Sequence, residues 1–204
     1  MKITSNIINH IALQVVQTND GGLFHGRMGI ILALYCYGIA HDNNYICEYA
    51  SDILQLTMND YHDGDISLEN GLSGIGLGFT LLYKAGLFND DLNELLFDLD
   101  QKIMGFDPRR MIDQSFRLGI SGVLYYIRTR LSIDQPLMSI HRDYIRELED
   151  NIRSIDKKVF QDEFLDSLQQ PNWEVDDYFE KDAGIDNGCA YYLIMDSYEK
   201  VFSR

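Results

Sequence analysis

Few residues of this chain combine a reactive type with a useful position, and most of them sit beside glycines. His25, Gly26, Asn70, Gly71, Gly119, Gly188 and Cys189 all fall where a loop runs into an apolar stretch of helical character. Bare backbone N–H groups at a helix start favour an anionic or carbonyl group, so these positions are the candidates for binding, with helix packing as the simpler reading of the glycines. Cys189, directly after Gly188, is the one cysteine placed where a helix start would lower a thiol pKa. A buried, inert thiol is the simpler and favoured expectation. Asp65 and Glu69 precede one glycine, and Asp113 and Arg117 another, which reads as surface charge pairing around the same region. The run WEVDDYFEKD, Trp173 to Asp182, holds enough carboxylates for the paired acids of glycoside chemistry, although a solvated insertion is the simpler reading. Its Trp173, Tyr178 and Phe179 are candidates to cap a core or grip a ligand. His62 and Asp63 stand in a loop without a visible partner. There is no P-loop, no GxGxxG after a strand, no HExxH and no GxSxG, and no catalytic residue is identified.

Composition narrows the partners. The 204 residues carry 17 Lys and Arg against 32 Asp and Glu, a formal net charge of -15. Such a chain repels a phosphate backbone, so nucleic acid and anionic membrane surfaces are not expected. The charge favours a basic ligand such as a cationic peptide, with plain solubilisation as the simpler account. The opening MKITSNIINHIALQVV lacks the cleavage pattern of a signal peptide. No apolar run reaches the ~18 residues of a membrane span; the best, Ile30 to Tyr37, makes about two helical turns. Cys36, Cys47 and Cys189 are scattered without CxxC spacing, which points to free thiols in a reducing compartment, hence the cytoplasm.

The elements that must position the glycines show themselves as a repeat. An apolar residue is followed at three-residue steps by two glycines and then by a long apolar stretch: Leu23-x-x-Gly26-x-x-Gly29, Leu68-x-x-Gly71-x-x-Gly74 and Phe116-x-x-Gly119-x-x-Gly122. A weaker copy, Ile185-x-x-Gly188-x-x-Tyr191, has tyrosine in place of the second glycine. The stretches are apolar nearly all round, which predicts inner helices over 26–38, 71–85, 118–131 and 187–202. Amphipathic segments with acidic faces lie between them and predict outer helices. In one of these, Leu92, Leu95, Leu96, Leu99 and Ile103 fall at helical spacing. No alternating β-branched run supports a sheet. Glycines near a helix start cost ~1 kcal/mol each relative to alanine, so their recurrence implies close approach of backbones in a crowded end of the assembly.

On these residues the chain resembles the lanthionine synthetase C-like (LanC-like) family. GLFHGRMGIILALY, NGLSGIGLGFTLLYKAGL and FRLGISGVLYYI look like successive repeats of that family, whose inner helices begin with G-x-x-G after an apolar residue. The resemblance covers most of residues 21–131 and more loosely 183–202. It implies an all-α fold of α/α toroid-like helical hairpin repeats, about four here, in a partial or contracted ring forming a single domain over residues 1–204. In complete members the resemblance implies seven inner and seven outer helices. It also implies a zinc held by a Cys-Tyr-Gly and a Cys-His-Gly segment, which activates a peptide thiolate for addition to a dehydrated serine or threonine. In this sequence Phe24-His25-Gly26 has phenylalanine where the cysteine belongs, and Cys36-Tyr37-Gly38 lies at the end of a helix rather than at its head. A zinc site needs three or four converging ligands, so zinc is not expected and no cofactor is assigned.

The function expected from this resemblance is a non-catalytic module that binds a precursor peptide or assists peptide modification. The alternative is a degenerate or partial enzyme, a peptide cyclase relative or an α/α-barrel protein acting on glycans. Four repeats in open order would leave apolar flanks uncovered, at Ile30, Ile31, Leu34 and Tyr35 of the first inner helix and at Tyr192, Leu193 and Tyr198 of the last. Capping by the N-terminal helix and the Trp173 to Asp182 segment is the favoured arrangement, and a homodimer the second.

Overall fold

Each repeat begins with a turn that the glycine spacing alone does not reveal. An aspartate stands six residues ahead of the first glycine of every motif: Asp20, Asp65, Asp113 and Asp182. In the first three its Oδ1 accepts a hydrogen bond from the N–H two residues on, in Gly22, Ser67 and Ser115, at 2.7, 2.7 and 2.8 Å. At Asp113 the Ser115 N–H first, and the Ser115 side chain second, hold the carboxyl below its usual pKa. The carbonyl of the same aspartate accepts from the N–H just past the first glycine, in Arg27, Leu72, Ile120 and Cys189, at 2.8, 2.9, 2.9 and 2.7 Å. The loop therefore curls over the start of the helix it feeds, and a helical donor that would otherwise be orphaned is paired.

The computed structural model describes residues 5–57, 64–133, 139–152 and 163–202. The inner helices are α2 (Arg27–Ala40), α4 (Leu72–Lys84), α7 (Ile120–Leu131) and α10 (Tyr191–Phe202). The outer ones are α1 (Ser5–Gln17), α3 (Asn44–Thr57), the pair α5 (Leu92–Leu95) and α6 (Phe97–Met104), and α8 (Arg142–Ile152). A short α9 (Glu163–Asp166) and two 3₁₀ turns, Pro108–Arg110 and Val175–Glu180, complete the elements. No strand occurs among the described residues, so the all-α hairpin repeat expected from the sequence is present. One outer helix differs: Leu96, at φ -98° and ψ 5°, divides the expected single segment into α5 and α6. The break keeps Leu92, Leu96, Leu99 and Ile103 buried, so the apolar face survives.

The four inner helices stand side by side in the order third, second, first, fourth. α7 packs on α4, α4 on α2, and α2 on α10. The first inner helix is thus central, flanked by α4 and α10 and backed by α3 and α1. This corrects the expected uncovered flanks. Ile30, Ile31, Leu34 and Tyr35 are all buried, as is Leu193, while Tyr192 and Tyr198 are half-buried. The last helix covers the first. The N-terminal helix does cap the assembly, because α1 packs on α2 and on the Val175–Glu180 turn, where His10 meets the Tyr178 ring edge-on at 5.3 Å.

The loops pair in the same order. One carbonyl in each of three loops accepts two successive N–H groups of its neighbour: Ile185 and Asp186 donate to Phe24, Leu23 and Phe24 to Glu69, and Leu68 and Glu69 to Arg117, all at 3.0–3.1 Å. This pairing lays the apolar residue of one motif on the second glycine of the next. An added Cβ at Gly29 would stand 3.0 Å from Ile185, at Gly74 3.0 Å from Leu23, and at Gly122 2.7 Å from Leu68. Among the described residues no fourth pairing closes the arc between the Phe116 and Asp186 loops. Tyr191, half-buried, occupies the second-glycine position there.

Beneath α4 and α7 lies a buried polar cluster. The Tyr126 hydroxyl donates to Asp100 Oδ1 at 2.5 Å, and the Ser139 hydroxyl donates to Asp100 Oδ2. Burial pushes the Asp100 carboxyl above its usual pKa, while Ser139, Tyr126 and the charge of Arg130 pull it back part of the way. A carboxyl raised in the folded state favours folding most when protonated, and that contribution is lost as pH rises through the folded value. Tyr126→Phe removes a stabilising donor from the ionised form and should destabilise by about 1–3 kcal/mol at neutral pH. The difference from the parent should shrink toward acid pH. Urea melts at neutral and acid pH check both; an equal loss at the two pH values would remove Asp100 from the explanation.

Candidate functional site

Since every loop follows the same path, the residue after the apolar motif position reaches the same place in each repeat. These residues are Phe24, Glu69, Arg117 and Asp186. They converge at the end of the arc where all four inner helices start. Arg117 joins the other three. Its Nε lies 2.7 Å from Glu69 Oε2, its Nη2 lies 2.7 Å from Asp186 Oδ2, and its Cζ sits 4.5 Å from the centroid of the Phe24 ring. Asp186 Oδ1 also accepts from the Gln169 N–H at 2.6 Å. Burial works against the Arg117 charge, but hydrogen bonds and charges from Glu69 and Asp186 outweigh it and raise the guanidinium's pKa above its ordinary value. The cation is permanent and held on two sides.

His25 lies on top of this cluster, with Nε2 3.3 Å from Glu69 Oε1 and 3.5 Å from Asp186 Oδ2. Its side chain is 42% exposed against 3% for Asp186, so it forms the outer wall rather than the floor. A cleft of about 740 Å³ opens beside the cluster, lined by His25, Glu69, Arg117, Asp182 and Asp186 together with the apolar Phe116 and Leu118. Three carboxylates therefore border it against one guanidinium and one imidazole. A concave site with a few convergent polar groups is suited to binding. Among the described residues no group of three His, Cys, Asp or Glu side chains is arranged to hold a metal ion, and the position between Glu69 and Asp186 is taken by Arg117.

The other candidate residues fall into place around this geometry. Gly26, Gly71 and Gly119 cap α2, α4 and α7 in extended conformation, and Gly188 precedes α10 by a turn. They carry no open donors at the first helical position, because that N–H is bound by each loop's own aspartate carbonyl. What these glycines supply is room: a Cβ at any of the four would come within 3.0 Å of loop backbone. Asn70 is exposed and its N–H points to the Ser67 hydroxyl at 3.4 Å, away from the cluster. Cys189 is fully buried, with its thiol pushed up to about 12 by burial first and by the Asp182 charge second. The helix start does not offset that burial, and the cysteine is buried as expected. Cys36 behaves alike, buried in the middle of α2 and raised to about 12 by burial and the neighbouring Cys47.

The Trp173 to Asp182 segment packs against α1 and against Tyr192 of α10. Trp173 packs edge-on to Tyr192 at 5.5 Å and donates from Nε1 to the Asn187 carbonyl at 3.4 Å, whereas Phe179 stays largely exposed. Its Glu174, Asp176, Asp177 and Glu180 are all exposed. His62 and Asp63 lie outside the described residues. Glu69 and Arg117 are read from the sequence only as rim charges, and Asp186 is not singled out at all. Aligning the four motifs on their first glycine would have set all three in one column with Phe24. Compared with family models, with curated proteins and with solved structures, the chain finds no match.

Proposed function

We propose that this protein is a LanC-like module without the zinc-ligand cysteines, which binds a basic peptide segment at the mouth of its helical arc and serves peptide modification without catalysing it. The observation that carries this reading is the cleft bordered by Glu69, Asp182 and Asp186, whose floor is a fixed ion cluster and whose wall includes apolar Phe116 and Leu118. Carboxylates at a concave, partly apolar surface favour a ligand with basic and apolar side chains. Cys189, the cysteine next to this end of the arc, is fully buried and does not line the cleft.

Binding of a fluorescein-labelled Gly-Leu-Arg-Ala-Leu-Arg peptide, followed by polarisation, tests the reading. Saturable binding that weakens with salt is the expected result, and the same peptide with glutamate for arginine should not bind. Asp182 is exposed and its carboxylate makes no hydrogen bond or ion pair among the described residues, so Asp182→Asn should weaken binding by roughly threefold to tenfold without lowering the melting temperature. Equal binding of the basic and acidic peptides would sink the proposal. So would one zinc per chain in metal analysis of the purified protein, which would support the partial-enzyme alternative instead.

A further inference from the structure

The break in the arc leaves a donor pair and an acceptor facing the same cleft. At the three closed junctions two successive N–H groups of one loop bind a carbonyl of the next. The equivalent donors of the third loop are the N–H groups of Phe116 and Arg117, and the equivalent acceptor of the fourth is the Asp186 carbonyl. Among the described residues none of these three has a hydrogen-bond partner. Phe116, Arg117 and Asp186 all line the cleft. The apolar side follows the same pattern. Leu23, Leu68 and Ile185 are fully buried by the next repeat, whereas Phe116 is only half-buried and rests on the Tyr125 ring at 5.1 Å.

We infer that this junction is where the peptide binds, as an extended segment that enters the break and continues the loop pairing. One peptide carbonyl accepts from the N–H groups of Phe116 and Arg117, and peptide N–H groups donate to the Asp186 carbonyl. An apolar side chain of the peptide covers Phe116, and a basic one meets Glu69, Asp182 and Asp186. The inference rests on the peptide-binding reading and adds to it the part of the ligand that is recognised, its backbone. A free carboxylate fits less well: it would satisfy the donor pair, but it has no N–H for the Asp186 carbonyl and would face two carboxylates. Recognition through main-chain bonds, with side chains setting preference, is the physics of strand addition at an open edge.

The test uses the full chain and the Gly-Leu-Arg-Ala-Leu-Arg peptide in two measurements. Amide hydrogen exchange read by NMR should slow at Phe116 and Arg117 by about tenfold or more when the peptide saturates the protein. A set of analogues, each N-methylated at one peptide bond, keeps every charge and side chain. At least one analogue should bind about tenfold more weakly than the parent peptide. If the peptide binds but both amides exchange as before and every analogue binds like the parent, the inference falls while the basic-peptide reading stands. If no basic peptide binds, both fall. Slowed exchange at Phe116 and Arg117 that grows with protein concentration in the absence of peptide would overturn the peptide as occupant and assign the junction to a second copy of the chain.

Discussion

Gly74→Ala should destabilise the fold by about 3 kcal/mol. Two effects oppose each other at this position. Alanine is the better helix former by ~1 kcal/mol, so on an open helix the substitution would stabilise. Here the new Cβ would stand less than 3.0 Å from the Leu68 carbonyl oxygen, and 3.0 Å from the Cβ of Leu23 on the neighbouring loop. The first of these is backbone, pinned by a loop whose N–H groups bind the Arg117 carbonyl, and cannot step aside as a flexible side chain would. Overpacking wins by a wide margin. Gly29→Ala should behave alike, against the Leu23 carbonyl and Ile185. Gly105→Ala is the control: Gly105 caps α6 in helical conformation with its nearest neighbour at 3.1 Å, so its change should stay within about 1 kcal/mol. Urea melts of the three variants decide, and a Gly74→Ala protein that melts with the parent would mean that the loop does not lie on the helix.

Arg117→Met should be comparably damaging, by about 3 kcal/mol at neutral pH. Methionine can take over part of the packing on Phe24 but leaves Asp186 and Glu69 with no cation between them. Asp186 is nearly fully buried, which makes an unpaired charge there expensive; the partial exposure of Glu69 and Arg117 puts the estimate at the low end of the range for buried pairs. Arg117→Lys keeps the charge but loses the two-sided fork, and should fall between the parent and Arg117→Met. The combination of Arg117→Met with Asp186→Asn should recover part of the loss, since it removes the stranded charge. If Arg117→Met alone is as stable as the parent, the ion cluster does not hold the loop ends together.

The sequence pattern reads well where burial depends on neighbours along the chain. Inner helices apolar all round and outer helices apolar on one face follow from periodicity, and the observed ends differ from the expected ones by a few residues. The reason for the glycines also reads correctly in kind, as close approach of backbone. What approaches does not: it is the helix's own preceding loop, held down by an aspartate turn, together with one side chain from the next loop. The order of the helices was written in the motifs as well. Tyr191 looks like a decayed glycine, but it stands where, among the described residues, no fourth pairing closes the arc. Asp186 stayed hidden because its role depends on Arg117 and Gln169, which only folding brings near. Cys189 was legible as a buried cysteine, since a helix start lowers a thiol pKa only where water or a cation can stabilise the thiolate.

The central place of α2 has a kinetic side. Its two long-range neighbours are α4 and α10, and α10 lies at the far end of the described residues. Closing a contact over that many intervening residues is slow, and topologies rich in such contacts fold slowly. On a ribosome α2 would emerge long before α10, its most apolar face uncovered while the rest of the chain is still being made. A pause or truncation ahead of Tyr191 would therefore release a nascent chain whose stickiest surface is the one the finished protein hides most completely.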